Sequence, residues 1–268
     1  MIKSEIDNKK TQPVFFIGAG PGDPELITVK GKRLLEEADI IIYAGSLINP
    51  EILRYAKKGA EVFDSASMNL DEILKIMVDG VKDGRIAVRL HTGDTSLYSA
   101  IAEQMAELKK EGIDFEIVPG VSSASAAAAS LNIEYTLPEI TQTVIYTRIA
   151  GRTDVPDAER LSSLAAHNAT MVIFLSVQKI KEVVDELLKG YSSDTPVAVV
   201  YKASWKQERV IRSLLKDIAD KVKDEKINKT ALIIIGKALD KDILKIAKKS
   251  KLYDKGFEHG YRKAAAEK

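Results

Sequence analysis

Short apolar runs alternate with amphipathic stretches from one end of the chain to the other. Residues 14–18, 39–43, 86–90 and 114–118 are apolar, of strand length and bounded by Gly, Asp or Pro, which predicts buried strands. Between them, Leu70, Ile73, Leu74, Met77, Val78 and Val81 recur at i, i+3, i+4, i+7, i+8 and i+11, the single apolar face of a helix. Asp71 and Glu72 near its start suit the positive end of the helix dipole. A second stretch of this kind runs from 97 to 111. Strands separated by helices of this length need crossover connections, so the first half predicts a mostly parallel sheet.

The pattern breaks at Pro119-Gly120. Ser122 to Ser130 reads SSASAAAAS, helical by propensity but almost without bulk. Such a helix can lie close against backbone or a flat ligand, or serve only as a tightly packed interdomain helix. Further strands are predicted at 143–147, 170–175, 196–201 and 231–236, with helices at 157–167, 178–188 and 214–223 and a short extra strand at 208–212. The expected architecture is α/β: two α/β domains with a cleft between them. An extension covers 1–12, the N-terminal domain 13–119, an interdomain segment 120–138, the C-terminal domain 139–239 and a tail 240–268.

Composition narrows the chemistry. Cysteine is absent, which removes disulfides, thiolate metal sites and thiol nucleophiles together, and three histidines are too scattered for a metal cluster. Net charge is +1, so no global basic field draws the chain to nucleic acid. The Lys-rich segment from Lys241 onward reads as a solvated helix plus an extension. No apolar run reaches the roughly 18–20 residues that span a bilayer, and the polar first twelve residues lack a signal-peptide core. A cytoplasmic protein without membrane partners is expected.

Three segments carry candidate chemistry. Gly18-Ala19-Gly20-Pro21-Gly22-Asp23 follows the first strand directly, where a Gly-rich turn lets a ligand approach backbone. It departs from the dinucleotide fingerprint, which wants Gly where Asp23 stands and a backbone donor where Pro21 has none. The loop therefore suits a ligand that is not a dianion, or is a bare structural turn. His91-Thr92-Gly93-Asp94-Thr95-Ser96-Leu97-Tyr98 lies beyond the carboxyl end of the 86–90 strand, where ligands of open α/β sheets bind. Asp94 offers a carboxylate there, while Thr95 or Ser96 is also placed to cap a helix from Leu97. Arg148 and Arg152 flank the Gly151 turn, a good receptor for carboxylates through guanidinium forks, or an ordinary pair of surface cations.

These segments resemble the tetrapyrrole methylase family. The resemblance rests on GAGPGDPELIT at Gly18–Thr28, Tyr43-Ala44-Gly45-Ser46-Leu47, HTGDTSLYSA at His91–Ala100 and VPGVSS at Val118–Ser123. Pro138 to Thr143, Thr147-Arg148 with Gly151-Arg152-Thr153, and the tail motifs at Ser250–Asp254 and His259–Arg262 are similar to the corrin branch of that family. The resemblance covers residues 13–262. It implies two α/β domains holding S-adenosyl-L-methionine, with S-adenosyl-L-homocysteine as product, a small tetrapyrrole substrate, no resident metal, and a homodimer. Matched position by position, it implies cofactor contacts at Pro21, Thr92, Gly93, Asp94, Leu97, Ser122, Ser123, Leu175, Ala203, Thr230 and Ala231. Leu175 stands where relatives often carry Met, Ala203 where many carry Gly, and Thr95 where Pro often follows the Gly-Asp pair.

A sulfonium is already a strong electrophile, so the protein's main task is to hold a ring carbon in line with the methyl group. Asp94 is the candidate catalytic group, as polar anchor or electrostatic partner of the sulfonium. Tyr98, Arg148 and Arg152 are the candidate substrate contacts, the arginines as clamps for the ring's carboxylates. No residue is singled out as general base. A methylase of the same family acting on another substrate (uroporphyrinogen III, diphthamide precursors or a ribosomal RNA sugar), an NAD-dependent oxidoreductase and a non-catalytic tetrapyrrole carrier are the competing readings. The Gly-rich loop's departures disfavour the second, and the intact cofactor segments the third.

Overall fold

The computed structural model describes residues 12–151, 153–246 and 256–263. The first twelve residues other than Gln12, together with Arg152, Ser250–Asp254 and most of the Lys-rich tail, lie outside the described residues.

The chain forms two units, one holding the residues up to Ala126 together with Lys202–Lys206, the other Ala127–Tyr201 and Gln207 onward. The first is built on a five-stranded sheet of β1 (Val14–Gly18), β2 (Ile40–Tyr43), β3 (Glu61–Asp64), β4 (Ala87–His91) and β5 (Phe115–Val118). Their order is β3-β2-β4-β1-β5 and every pairing is parallel. All five carboxyl ends therefore open on one edge, the edge where ligand loops sit in this architecture. β1, β2 and β4 are buried on both faces; β1 and β2 accordingly read as unbroken apolar runs, while β4 also buries Arg89 and His91.

Helices α1 (Val29–Glu37), α2 (Leu70–Lys82) and α3 (Ile101–Lys110) cover this sheet. α2 starts at a full capping box, with Asn69 accepting from Glu72 N and Glu72 accepting from Asn69 N. It buries Ile73, Met77 and Val81 against Val14, Phe16, Ile40 and Ile42. The opposite face packs Leu34 and Leu35 of α1 on Phe15, Ile17, Ile41, Val88 and Leu90.

The second unit has its own sheet: β6 (Val144–Arg148), β7 (Thr170–Phe174), β8 (Pro196–Tyr201), β9 (Arg209–Leu214) and β10 (Ala231–Ile235), in the order β6-β7-β10-β8-β9. Only β6 and β7 run parallel; β10 is antiparallel to both β7 and β8, and β9 to β8. Helices α5 (Leu161–Ala165), α6 (Ile180–Leu187) and α7 (Ile218–Asp224) bury Leu161, Val183, Leu187 and Val222 against Met171, Ile173, Val199 and Ile233. The small-residue segment forms α4 (Ser123–Leu131), with Ala124, Ala126 and Ala127 buried. A short α8 (Ile243–Ile246) follows β10.

The α/β class is as the hydropathy pattern predicts, and three local readings are corrected. The helix expected from 97 starts at Ile101, because Tyr98 and Ala100 take left-handed backbone at φ 56° and 50° and the turn before them is held by Asp94. The expected extra strand at 208–212 runs on to Leu214, so the helix expected from 214 begins at Ile218. The helix expected over 157–167 is a 3-10 turn, Asp157–Glu159, followed by the short α5. β3 was not foreseen. No helix among the described residues is long and apolar enough to cross a membrane.

Candidate functional site

Three loops leave adjacent strands β4, β1 and β5 at the carboxyl edge of the first sheet. Backbone meets backbone here: a Cβ on Gly18 would lie 2.6 Å from both Gly120 N and Gly93 O, and one on Gly120 would lie 2.2 Å from Gly93 O. Only glycine permits this approach. Gly20 and Gly93 then form an antiparallel bridge, with N–H donated in both directions at 3.2 and 2.8 Å.

Asp94 is the joint of the assembly. Its Oδ1 accepts from Ser96 N at 2.9 Å and from the Ser96 hydroxyl, while Oδ2 accepts from Gly120 N at 2.8 Å, tying the β4 loop to the β5 loop. Burial opposes its charge, but the Ser96 hydroxyl and the Gly120 and Ser96 N–H groups outweigh that and hold the carboxyl below the usual range. Neither Thr95 nor Ser96 caps α3; Thr95 is buried and Ser96 serves Asp94.

The other expected cofactor positions of this unit gather around that joint. Thr92 Oγ1 donates to Leu47 O at 3.1 Å, and Leu97 N to Asp94 O at 3.3 Å. Ser122 Oγ accepts from Ala124 N at the start of α4, and Ser123 opens the helix. Pro21 is buried, and its carbonyl accepts from the indole N–H of Trp205 at 2.9 Å. Ser204 Oγ accepts from Asp23 N at 3.0 Å, so the 202–206 segment, with buried Ala203, straps the Gly-rich loop. Gly22 exists for that strap, since a Cβ there would lie 2.0 Å from the Trp205 ring. The sole tryptophan was not foreseen as part of the site. Nothing near it in sequence marks it, because its partners lie 184 residues away.

Beneath the loop, β4 turns Arg89 and His91 into the α2–α3 side of the sheet. Arg89 is buried without a carboxylate partner, donating to Ile42 O and to Gln104 Oε1, both at 3.3 Å. Gln104 donates in turn to the carbonyl of left-handed Ala100. Burial lowers Arg89 to about 10, which leaves it charged at neutral pH. Burial and the neighbouring Arg89 charge lower His91 to about 3. A histidine held neutral in this way is no proton shuttle near pH 7.

In the second unit, register places Arg148 beside Phe174 and Ala231 beside Tyr201, so Arg148, Leu175, Thr230 and Ala231 share one end of that sheet. Leu175 and Thr230 are both left-handed, at φ 53° and 52°, and Leu175 is 54% exposed. For a β-branched residue such a φ is an outlier, and strain of this kind collects at ligand sites. Arg148 turns its guanidinium onto its own loop, donating to Ile149 O, Thr153 O, Thr153 Oγ1 and Asp154 O at 2.8–3.2 Å. It shapes the turn that carries Arg152, which lies outside the described residues. Tyr98, in the first unit, is 44% exposed.

A cleft of about 550 Å³ lies behind the Arg148 loop, lined by Ile149, Val155, Leu161 and a set of charged side chains. Among the described residues that line it, five are carboxylates (Asp154, Asp157, Glu182, Asp185 and Glu186) against Arg160 and Lys179. By contrast the three loops of the first unit, Gly18–Asp23, Thr92–Ser96 and Val118–Ser123, hold no cation and two carboxylates. Loops with that balance disfavour a pyrophosphate. Among the described residues no group of His, Asp and Glu could hold a metal ion.

Residues 13–219 match the family of Tetrapyrrole (Corrin/Porphyrin) Methylases. The chain belongs to the tetrapyrrole methylase family. Within it, the cobalt-precorrin-4 C(11)-methyltransferase of Methanocaldococcus jannaschii is 59% identical over 260 residues, 97% of this chain and 98% of that protein. An X-ray structure of a cobalt precorrin-4 methyltransferase, 50% identical, superposes with a TM-score of 0.83 over 85% of this chain and 96% of the other. Uroporphyrin-III C-methyl transferase of Thermus thermophilus, solved in complex with S-adenosyl homocysteine, is 27% identical with a TM-score of 0.71, over 85% of this chain and 93% of the other. The glycine joint and its Asp94 anchor lie within the residues matched to that family.

Proposed function

We propose that the chain is a cytoplasmic, homodimeric S-adenosylmethionine-dependent methyltransferase that methylates C11 of cobalt-precorrin-4 in cobalamin synthesis. The observation that carries the reaction class is the cation-free joint of Gly18, Gly93 and Gly120 fixed by Asp94. The similarity of the whole chain to cobalt-precorrin-4 methyltransferases supports the substrate. Metal-free precorrin-4 is the alternative ring.

When bound, S-adenosylmethionine supplies an electrophilic methyl group. Pro21, Thr92, Gly93, Leu97, Ser122, Ser123 and Ala203 hold it in this reading. Asp94 sets the loop geometry and places negative charge near the sulfonium. Arg152 takes ring carboxylates, Tyr98 orients the ring, and Arg148 holds Ile149, Thr153 and Asp154 in place. Orientation of this kind supplies several kcal/mol of a barrier without a covalent catalyst. Calorimetric titration with S-adenosylhomocysteine, run beside NADH, tests the cofactor. Near-stoichiometric binding of the first alone is expected, and no binding of it by folded protein overturns the reading.

A further inference from the structure

The carboxyl edge of the first sheet holds a second constellation, at the ends of β2 and β3, which the cofactor loops do not use. β2 and β3 lie beside β4 in the sheet order, on the side away from β1 and β5. Tyr43 and Asp64 are register partners at those ends, and the phenol donates to Asp64 Oδ2 at 3.4 Å. Asp64 Oδ1 accepts from Ala66 N at 2.9 Å, and Ser65 Oγ donates to Tyr43 O at 3.0 Å, so backbone and phenol fix the carboxylate from two sides. Gly45 leaves the carboxylate its place: a Cβ there would lie 2.1 Å from both carboxylate oxygens, so a larger residue would displace the Asp64 side chain. Among the described residues Asp64 has no cationic partner, and it remains exposed. Burial and then the Asp64 charge raise the Tyr43 phenol above its ordinary value, so it stays protonated and acts as the donor.

The constellation is joined to the cofactor loop. The turn that carries Gly45 also carries Leu47, whose carbonyl accepts from Thr92 next to Gly93. Neighbouring strands lie about 4.8 Å apart, so a flat ring laid along the carboxyl edge beside the β4 loop would cross the β2 and β3 ends.

We propose that Asp64 is the general base of the methyl transfer, with Tyr43 as its positioning residue; this rests on the methyltransferase reading above. Transfer of a methyl cation to a neutral ring carbon forms a C–C bond from a ring π pair. It breaks the S–CH3 bond, whose pair stays on sulfur. The ring is left one positive charge richer and regains its former charge by releasing one proton from a ring position that cobalt does not occupy. The Asp64 carboxylate takes that proton, becomes a carboxylic acid, and passes it to solvent through its exposed side. No redox partner is needed.

The test uses the full chain, cobalt-precorrin-4 and S-adenosylmethionine. Parent protein that fails to methylate the ring would fail the functional reading itself, before Asp64 is at issue. With an active parent, Asp64→Asn keeps the shape and the acceptor for Ala66 N while removing the base. General bases contribute roughly 10²–10⁴-fold. The single-turnover rate is expected to fall about 10²-fold or more. Affinities for S-adenosylhomocysteine by calorimetry, and for the ring by its visible absorption, are expected to stay within about threefold. Asp64→Glu, which keeps a carboxylate, is expected to recover at least about tenfold over Asp64→Asn, and this comparison also covers a poorly folding Asn variant. A rate within tenfold of the parent, a loss expressed in either affinity, or a Glu variant no faster than Asn overturns the proposal.

Discussion

Replacing Asp94 with Ala removes the one side chain that ties the β4 and β5 loops together. Gly120 N and Ser96 N both lose their acceptor. Hydrogen bonds to a charged group are worth roughly 1.5–3 kcal/mol each, and partial exposure puts this pair at the low end. The Ser96 contact is local and reforms with solvent, which leaves the Gly120 bond as the main loss, about 2 kcal/mol of stability. For a chain of this size that lowers the melting temperature by about 4–8 °C. Freed loops also bind cofactor less well, and a tenfold loss of S-adenosylhomocysteine affinity corresponds to about 1.4 kcal/mol. Asp94→Asn satisfies only one of the two N–H groups and falls between parent and Ala.

The sign with pH follows from the lowered carboxyl. A group whose folded value is depressed stabilises above its unfolded value, about 3.9 for Asp, and loses that contribution as pH falls through the folded value. The stability gap between parent and Asp94→Ala is therefore full at pH 7 and closes in acid below about pH 4. Urea unfolding at both pH values and calorimetry with S-adenosylhomocysteine measure these quantities. An Ala variant with an unchanged unfolding midpoint and an affinity within twofold of the parent would refute the reasoning.

Three further outcomes are expected. Gly22→Ala forces the Trp205 ring out of its seat 2.0 Å away and breaks its bond to Pro21 O, so the emission of this sole tryptophan shifts to the red and cofactor affinity falls; unchanged emission contradicts the strap. Leu175→Gly relieves a left-handed backbone at an exposed site, so the protein is unchanged to about 1 kcal/mol more stable by urea unfolding while S-adenosylhomocysteine binding weakens; a large loss of stability argues against strain. Arg152→Ala raises the Kd for the tetrapyrrole about tenfold or more, while S-adenosylhomocysteine affinity stays near normal; a joint fall of both removes the clamp.

What could be read in the sequence follows from how local the determinants are. β1 and β8 coincide with the predicted runs because each is an unbroken apolar stretch with Gly or Pro at an end. The α2 pattern was equally legible, because a capping residue and a single apolar stripe lie within one contiguous stretch. β3 escaped because its four residues, Glu-Val-Phe-Asp, form an edge strand with charge at both ends and no buried position. The false start of α3 has a different cause: residues 97–100 suit a helix, but Asp94 engages Ser96 and Gly120, and Tyr98 and Ala100 take left-handed backbone before the helix begins. The loops of the site were visible as glycines and serines in order. Their partners were not, because Gly22 meets Trp205 and Asp64 meets Gly45 only in the folded chain.

The central claim is methylation at one carbon, and carbon-13 NMR after turnover with methyl-labelled S-adenosylmethionine tests it most directly. Cobalt-precorrin-4 is supplied in one arm, metal-free precorrin-4 in a second and uroporphyrinogen III in a third. A single labelled methyl on C11, formed fastest on the cobalt-containing ring, is expected. Label at another ring carbon, or transfer confined to uroporphyrinogen III, would contradict it.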